Sequence, residues 1–271
     1  MDASNDVPIS DASEEWARSF ARHERRERRY RRLMRHVPSD PRCKFCYTPF
    51  RGFGRVIARL GRGPSRKNPT LCATCLEAGP EGGFETDAGV VFADIRGFTS
   101  LAESLGPKEI AVLTNRFYGA TTKVFVDHEA IIDKLVGDEV MAVFWPPLMS
   151  GGDPREAMVA AGLDLLRAVG YGADGDAWLA LGVGAAFGSA FMGNVGGEYA
   201  RDWTVLGDVV NVASRLQNAA EPGQLIVSGS VYEAVKGGRD GAARLELDLK
   251  GKREPVTAYA LDLGADRRTG S

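Results

Sequence analysis

The chain has 271 residues, enough for one large domain plus a small one, with a core that holds without disulfides. Its 44% hydrophobic and 26% charged residues are ordinary for a globular protein, and no stretch approaches the roughly 18 consecutive apolar residues of a membrane span. The net charge of −2 is uneven: residues 1–88 hold 17 Lys/Arg against 12 Asp/Glu, and residues 89–271 hold 17 against 24. A basic head on an acidic body predicts two functional parts. The polar, acidic start lacks the basic residues and apolar run of a secretory signal, so a cytoplasmic location is expected.

Residues 1–12 read as a disordered lead. Ser13 to Val37 contains nine arginines, four glutamates and no proline or glycine. That composition predicts a surface helix over 13–37, capped by Ser13, with Glu14 and Glu15 favouring its positive end and Pro38 closing it. Trp16, Phe20, Tyr30, Leu33, Met34 and Val37 form only a broken apolar stripe, which suits a solvated helix laying one edge on a partner chain. Contact with nucleic acid or anionic lipid through the arginines is the alternative. Residues 38–77 carry all four cysteines, as Cys43-Lys-Phe-Cys46 and Cys72-Ala-Thr-Cys75 with 25 residues between the pairs. Two such knuckles predict a closed four-thiolate shell around a structural Zn2+ in a small zinc-ribbon-like module. An iron–sulfur centre and a redox-switched dithiol pair stay open. Between the knuckles a short helix is expected within Phe50 to Leu60, and a turn at Gly61-Arg62-Gly63-Pro64. Residues 78–88 read as a linker.

From Gly89 the pattern changes. Strands are expected at 90–95, 178–187, 189–195, 224–228, 243–249 and 256–262, and helices at 98–105, 107–128, 154–170 and 208–219. Ile131 to Phe144 reads as a hairpin turning at Gly137-Asp138, apolar and β-branched on both arms. The order is that of an α+β, ferredoxin-like βαββαβ core with added strands, spanning residues 89–263 and followed by a tail at 264–271. There is no internal repeat.

Charged residues set within these apolar strands point to chemistry. Lys134 and Asp138 either face solvent or meet a ligand, a metal or an opposite charge, because a buried charge is costly alone. Val90-Val91-Phe92-Ala93-Asp94-Ile95-Arg96-Gly97-Phe98-Thr99 ends a buried strand in an aspartate and turns through glycine into a helix. Such a turn offers backbone N–H groups of residues 96–99 to an anion. Asp94 there either caps the helix or holds a cation beside the anion, with Asp138 as the second carboxylate, which is how Mg2+ is usually bound.

Three segments, Phe92-Ala93-Asp94-Ile95-Arg96-Gly97-Phe98-Thr99, Asp133-Lys134-Leu135-Val136-Gly137-Asp138 and Thr204-Val205-Leu206-Gly207-Asp208-Val209-Val210-Asn211-Val212-Ala213-Ser214-Arg215-Leu216, resemble the signatures of class III nucleotidyl cyclases, in the same order and at the same spacing. The resemblance does not reach the basic helix or the cysteine knuckles. It implies that Asp94 and Asp138, with the backbone carbonyl of Ile95, bind two Mg2+ or Mn2+ ions per active site. It implies that Lys134 and Thr204 read the purine, Asn211 orients the ribose and Arg215 stabilises the transition state. Gly97, Phe98 and Thr99 then meet the phosphates, with Lys250 reaching the triphosphate. It further implies a homodimer with each site shared between two chains, metal aspartates from one and the remaining groups from the other.

Donor and acceptor logic favours ATP. Lys134 can only donate, which suits adenine N1 and opposes guanine N1–H, while the Thr204 hydroxyl can accept from the adenine amine but also donates. The expectation is an adenylate cyclase that forms 3′,5′-cyclic AMP and pyrophosphate in intracellular signalling. Threonine at 204 resembles the subgroup often responsive to bicarbonate or CO2. A cyclase of GTP or a pyrimidine nucleotide stays open, as does a metal-knuckle nucleic-acid regulator with an idle cyclase domain. The Gly-Gly-Asp-Glu-Phe turn of diguanylate cyclases is absent.

Overall fold

The computed structural model describes residues 29–30, 32–34, 36–37, 41–52, 54–57, 61–65, 68–77, 82–172, 176–196, 201–236, 242–248 and 255–263. Its elements in chain order are α1 (Gly54–Ile57), α2 (Ala73–Glu77), β1 (Gly82–Ile95), α3 (Phe98–Ser104), α4 (Pro107–Asp127), β2 (Ile131–Val136), β3 (Glu139–Phe144), α5 (Pro154–Ala168), β4 (Leu181–Gly196), β5 (Arg201–Leu206), α6 (Asp208–Ala219), β6 (Gln224–Ser228), α7 (Gly229–Val235), β7 (Ala243–Leu247) and β8 (Val256–Asp262). One sheet contains all eight strands in the order β2-β3-β1-β4-β6-β8-β7, with β5 paired to β4. The first four strands and their crossover helices give the expected βαββαβ path. The chain divides into two units, Asp87–Ala190 with Leu206–Ser271, and Met1–Thr86 with Phe191–Val205.

The larger unit is organised by burial on both faces of its central strands. Residues 88–93 of β1 and 140–144 of β3 are all buried, as near-continuous apolar runs require. Antiparallel pairing aligns Gly89 with Phe144 and Asp94 with Glu139, so the last residues of β1 lie beside the hairpin turn. Helix α4 buries Phe117, Thr121 and Phe125, four residues apart, and Phe125 meets Phe144 edge-on at 6.5 Å between ring centroids. Helix α5 buries Met158, Val159, Ala161, Gly162, Leu163, Leu165 and Leu166. It starts from Asp153, whose carboxylate accepts the Arg155 amide at 2.9 Å, followed by proline at the first helical position.

Two strand expectations change. The strands expected at 178–187 and 189–195 are one strand, Leu181–Gly196, because an interior glycine weakens a strand without having to end it. The strand expected at 90–95 begins at Gly82.

In the smaller unit the knuckles are clipped by two isolated bridges, Arg42 with Pro49 and Pro64 with Cys72. The Cys43 amide donates to Thr48 O at 2.9 Å, the Tyr47 amide to Cys43 O at 2.8 Å, and the Lys44 amide to Thr70 O at 2.9 Å. Among its described residues the buried apolar side chains, besides the cysteines, are Met34, Phe50, Leu71, Met192 and Val205. Of the expected Arg-rich helix, residues 29, 30 and 32–34 are helical, and residues 1–28 lie outside the described residues. Lys250 and the tail at 264–271 lie outside them too. The helix expected within Phe50 to Leu60 is described over Gly54–Ile57.

Candidate active site

Asp94 is the penultimate residue of β1, and Asp138 closes the turn of the β2–β3 hairpin. The Ile95 amide donates to Asp138 O at 3.1 Å, which fixes the end of β1 against the hairpin turn. Gly137 takes the left-handed conformation that the turn needs, with φ of 59°. Tyr118 of α4 donates its hydroxyl to Gly137 O at 2.7 Å, tying the turn to the helix below.

The two carboxylates come within interaction range of each other. Burial, and then the Asp138 charge, push Asp94 up to about 6. Burial and Asp138 also raise Glu139. Crowded hard oxygen donors that resist ionising together fit an oxygen-seeking dication such as Mg2+ or Mn2+. On its other side Asp94 Oδ2 accepts from Gln217 Nε2 at 3.0 Å and lies 3.5 Å from Arg96 Nη2.

The capping alternative for Asp94 is not realised. Gly97, with φ of 71°, is the residue that precedes α3, and no side chain caps it. The anion cradle is also narrower than expected, since the Arg96 amide is spent on Ala180 O at 2.8 Å. Gly97, Phe98 and Thr99 open α3 as the sequence suggests, with Gly97 and Thr99 exposed.

Helix α6 begins after Gly207 and buries Val209, Val212, Ala213, Leu216 and Gln217. Asn211 is exposed and Arg215 half-buried, one helical turn apart on the same face. The helix sits almost in contact with the backbone of β4. A Cβ on Gly184 would lie 2.1 Å from Gln217 N and 2.5 Å from Ala213 O, and a Cβ on Gly182 would lie 2.4 Å from Arg96 Nε. These two glycines, in Leu181-Gly182-Val183-Gly184, are the clearest residues that sequence reasoning missed. Their alternation on one face of a strand was the available signal.

Lys134 lies on β2, partly exposed, with Nζ 3.6 Å from Oδ2 of the fully buried Asp133. A break in register between Ile132 and Lys134 lets Asp133 turn inward. Thr204 is buried on β5, in the smaller unit.

The four cysteines form a second candidate centre. Cys43, Cys46 and Cys72 are buried and Cys75, on α2, is half-buried, with all four Sγ atoms within 4.8 Å of one another. Cys46 Sγ and Cys72 Sγ are 3.7 Å apart. Tetrahedral Zn–S bonds of about 2.3 Å imply S···S edges of about 3.8 Å. Backbone amides support the sulfurs: Cys72 N donates to Cys43 Sγ at 3.3 Å, and Cys75 N to Cys72 Sγ at 3.4 Å. The Cys43 thiol hydrogen-bonds to Cys46 and lowers it, whereas Cys72 and Cys75 are raised because Cys43 and Cys46 take up negative charge first. A dication bound by all four resolves that conflict, so the donor set fits zinc.

A family profile described as the adenylate and guanylate cyclase catalytic domain matches residues 84–262, well over half of the chain. An adenylate cyclase of Anabaena cylindrica is 31% identical over 183 residues, which cover 63% of this chain and 36% of that protein. An uncharacterized protein of Mycobacterium tuberculosis is 30% identical over 222 residues, covering 76% of this chain and 40% of that protein. The chain thus spans less than half the length of these curated relatives. Among solved structures, the adenylyl cyclase CyaB from P. aeruginosa has 30% identity and a TM-score of 0.56, covering 66% of this chain and 95% of that one. The guanylyl cyclase Cya2 has 29% identity and a TM-score of 0.56, covering 66% and 93%. Among the described residues no helix is long and apolar enough to cross a membrane. With its α+β sheet, its paired aspartates and this match over residues 84–262, the chain belongs to the adenylate and guanylate cyclase catalytic domain family.

Proposed function

We propose that the chain is an adenylate cyclase that converts ATP to 3′,5′-cyclic AMP and pyrophosphate at sites shared between two copies. The observation that carries this reading is the meeting of Asp94 and Asp138 where the end of β1 is held against the hairpin turn by the Ile95 amide on Asp138 O. Asp94, Asp138 and the Ile95 carbonyl hold the metal ions. Bound Mg2+ or Mn2+ supplies neutralising charge at the triphosphate and makes the ribose 3′-hydroxyl easier to deprotonate.

The remaining groups position and discriminate. Gly97, Phe98 and Thr99 present backbone N–H groups to the phosphates at the start of α3, and Lys250 is assigned to the triphosphate on the family resemblance alone. Lys134 donates to adenine N1, and Thr204 accepts from the exocyclic amine. Asn211 holds the ribose so that its 3′-oxygen stands in line with the α-phosphorus. Arg215 meets the charge that develops on the α-phosphate oxygens. Homodimerisation is supported by large apolar side chains left in solvent on the larger unit: Leu135 and Val136 at the hairpin tip (40% and 60% exposed), Val112 (63%) and Leu206 (46%). Zinc at Cys43, Cys46, Cys72 and Cys75 closes the small unit as a structural centre.

Purified protein assayed with ATP, GTP, CTP and UTP in Mn2+ and in Mg2+ tests the proposal. Cyclic AMP as the main product supports it, and cyclisation of another nucleotide in preference overturns the base assignment. Cyclic GMP formation is the second reading. It is favoured by the Thr204 hydroxyl, which donates as well as accepts, and by the equal likeness to the guanylyl cyclase Cya2.

A further inference from the structure

Helix α6 carries one side chain that points back to the metal aspartates of its own chain. Gln217, two residues beyond Arg215, is fully buried, and its Nε2 donates to Asp94 Oδ2 at 3.0 Å. Arg96 Nη2 approaches the same oxygen at 3.5 Å and donates to the Gln217 carbonyl at 2.7 Å, in the last turn of α6, where a cation is favoured. Asp94 is therefore gripped through one oxygen by two side chains from different parts of the fold. Holding it leaves Gln217 Oε1 and Arg96 Nε buried without a hydrogen-bond partner among the described residues. An unpaired buried polar atom is destabilising, and methionine would fill the same volume without that penalty. A neutral amide has a use that methionine lacks: it fixes the carboxylate in place without cancelling the charge that a cation needs.

We propose that Gln217, assisted by Arg96, is a positioning residue for Asp94. Resting on the shared-site reading above, α6 then serves both sites of a dimer, with Asn211 and Arg215 acting across the interface and Gln217 acting within its own chain.

Gln217→Met keeps length and burial and removes the donor. With 3′-deoxy-ATP, which lacks the attacking hydroxyl, Mn2+ binding read from the free-ion electron paramagnetic resonance signal should weaken about tenfold, as for other partners of metal ligands. Unchanged Mn2+ binding by a folded Gln217→Met protein overturns the assignment. Subunit mixing supplies the second measurement. Asp94→Ala mixed with Arg215→Ala should restore activity, since mixed dimers contain one intact site. Failure of this control overturns the shared-site reading and leaves the Mn2+ result standing by itself. Gln217→Met mixed with Arg215→Ala at limiting Mn2+ should recover to a comparable extent. If Gln217 acted by steadying Arg215 instead, both sites of the mixed dimer would be impaired and no recovery would follow, which overturns the proposal. Should Gln217→Met not fold, Arg96→Gln, at a partly exposed side chain, removes the second contact to the same oxygen and is read by both measurements.

Discussion

Replacing Gly184 by alanine tests whether the placement of α6 on β4 sets the geometry of the active site. The added methyl would lie 2.1 Å from Gln217 N, 2.5 Å from Gln217 Cα and 2.5 Å from Ala213 O, all of them backbone atoms of α6. Ordinary contact begins near 3.5 Å, so the helix must lift by about 1.4 Å. The strand cannot give way instead, because β4 is paired in register on the side of β6, Gly184 opposite Ile226, and with β1 on its other side. Overpacking of this kind costs about 2 kcal/mol, a drop of about 4–8 °C in the thermal midpoint for a domain of this size. The effect on turnover should be larger. Arg215 and Asn211 ride on α6, and displacement of a reacting group by 1 Å costs about 100-fold. The assay is kcat for cyclic AMP formation at saturating ATP and Mn2+, beside the thermal midpoint of the same sample. Gly182→Ala is the comparison, since the atoms nearest its methyl belong to the flexible side chain of Arg96 and not to backbone. It should disturb Asp94 through Arg96 and leave the thermal midpoint nearer the wild-type value. A Gly184→Ala enzyme that keeps kcat within about threefold of wild type would refute the argument, since 1 Å of displacement is expected to cost far more.

Three further outcomes are expected. Arg215→Ala should lower kcat about 100-fold or more while changing the KM for ATP little, by analogy with loss of one oxyanion donor; an equal rise in KM with kcat retained would place Arg215 in ground-state binding instead. Elemental analysis of the purified chain should find one zinc for the four cysteines, and Cys72→Ser should abolish it and expose the remaining thiols to a thiol reagent; iron in place of zinc would overturn the structural-zinc assignment. Asp153→Ala should cost about 1 kcal/mol as a lost helix cap. Because the Arg155 side chain holds the Asp153 carboxyl below its ordinary range, this contribution is complete above the unfolded-state value and fades as pH falls through the lower folded one. Thermal midpoints of the two proteins should therefore converge as pH falls below the ordinary aspartate range, and a gap that stays constant would assign the effect to packing.

How far the chain could be read follows from the range of the forces involved. Helix α6 falls on 208–219 as expected, and β6 and β8 match their expected bounds, because each is fixed by its own apolar periodicity and flanking glycine or proline. The hairpin turn at Gly137-Asp138 was legible for the same reason, being a local steric requirement met by one glycine. Helix α7 escaped notice because it buries only Val231, too little to leave a periodic trace in seven residues. Asp133 was hidden differently. Strict alternation would send it to the face opposite Ile132, and the break in register after Ile132 is a property of the pairing with β3, not of either strand alone.

The grip on Asp94 lies further still from what local pattern can supply. Gln217 and Asp94 are 123 residues apart, and they meet only because α6 rests on the glycines of β4 while β1 runs beside that strand in the sheet. From the sequence, Gln217 is one more polar residue near a helix end, and Arg96 one more cation after a strand. A motif displays the residues that touch substrate because their types answer directly to its chemistry. The residues that aim them answer to the register of the whole sheet, and the small side chains that let a helix and a strand approach are where that register first becomes visible.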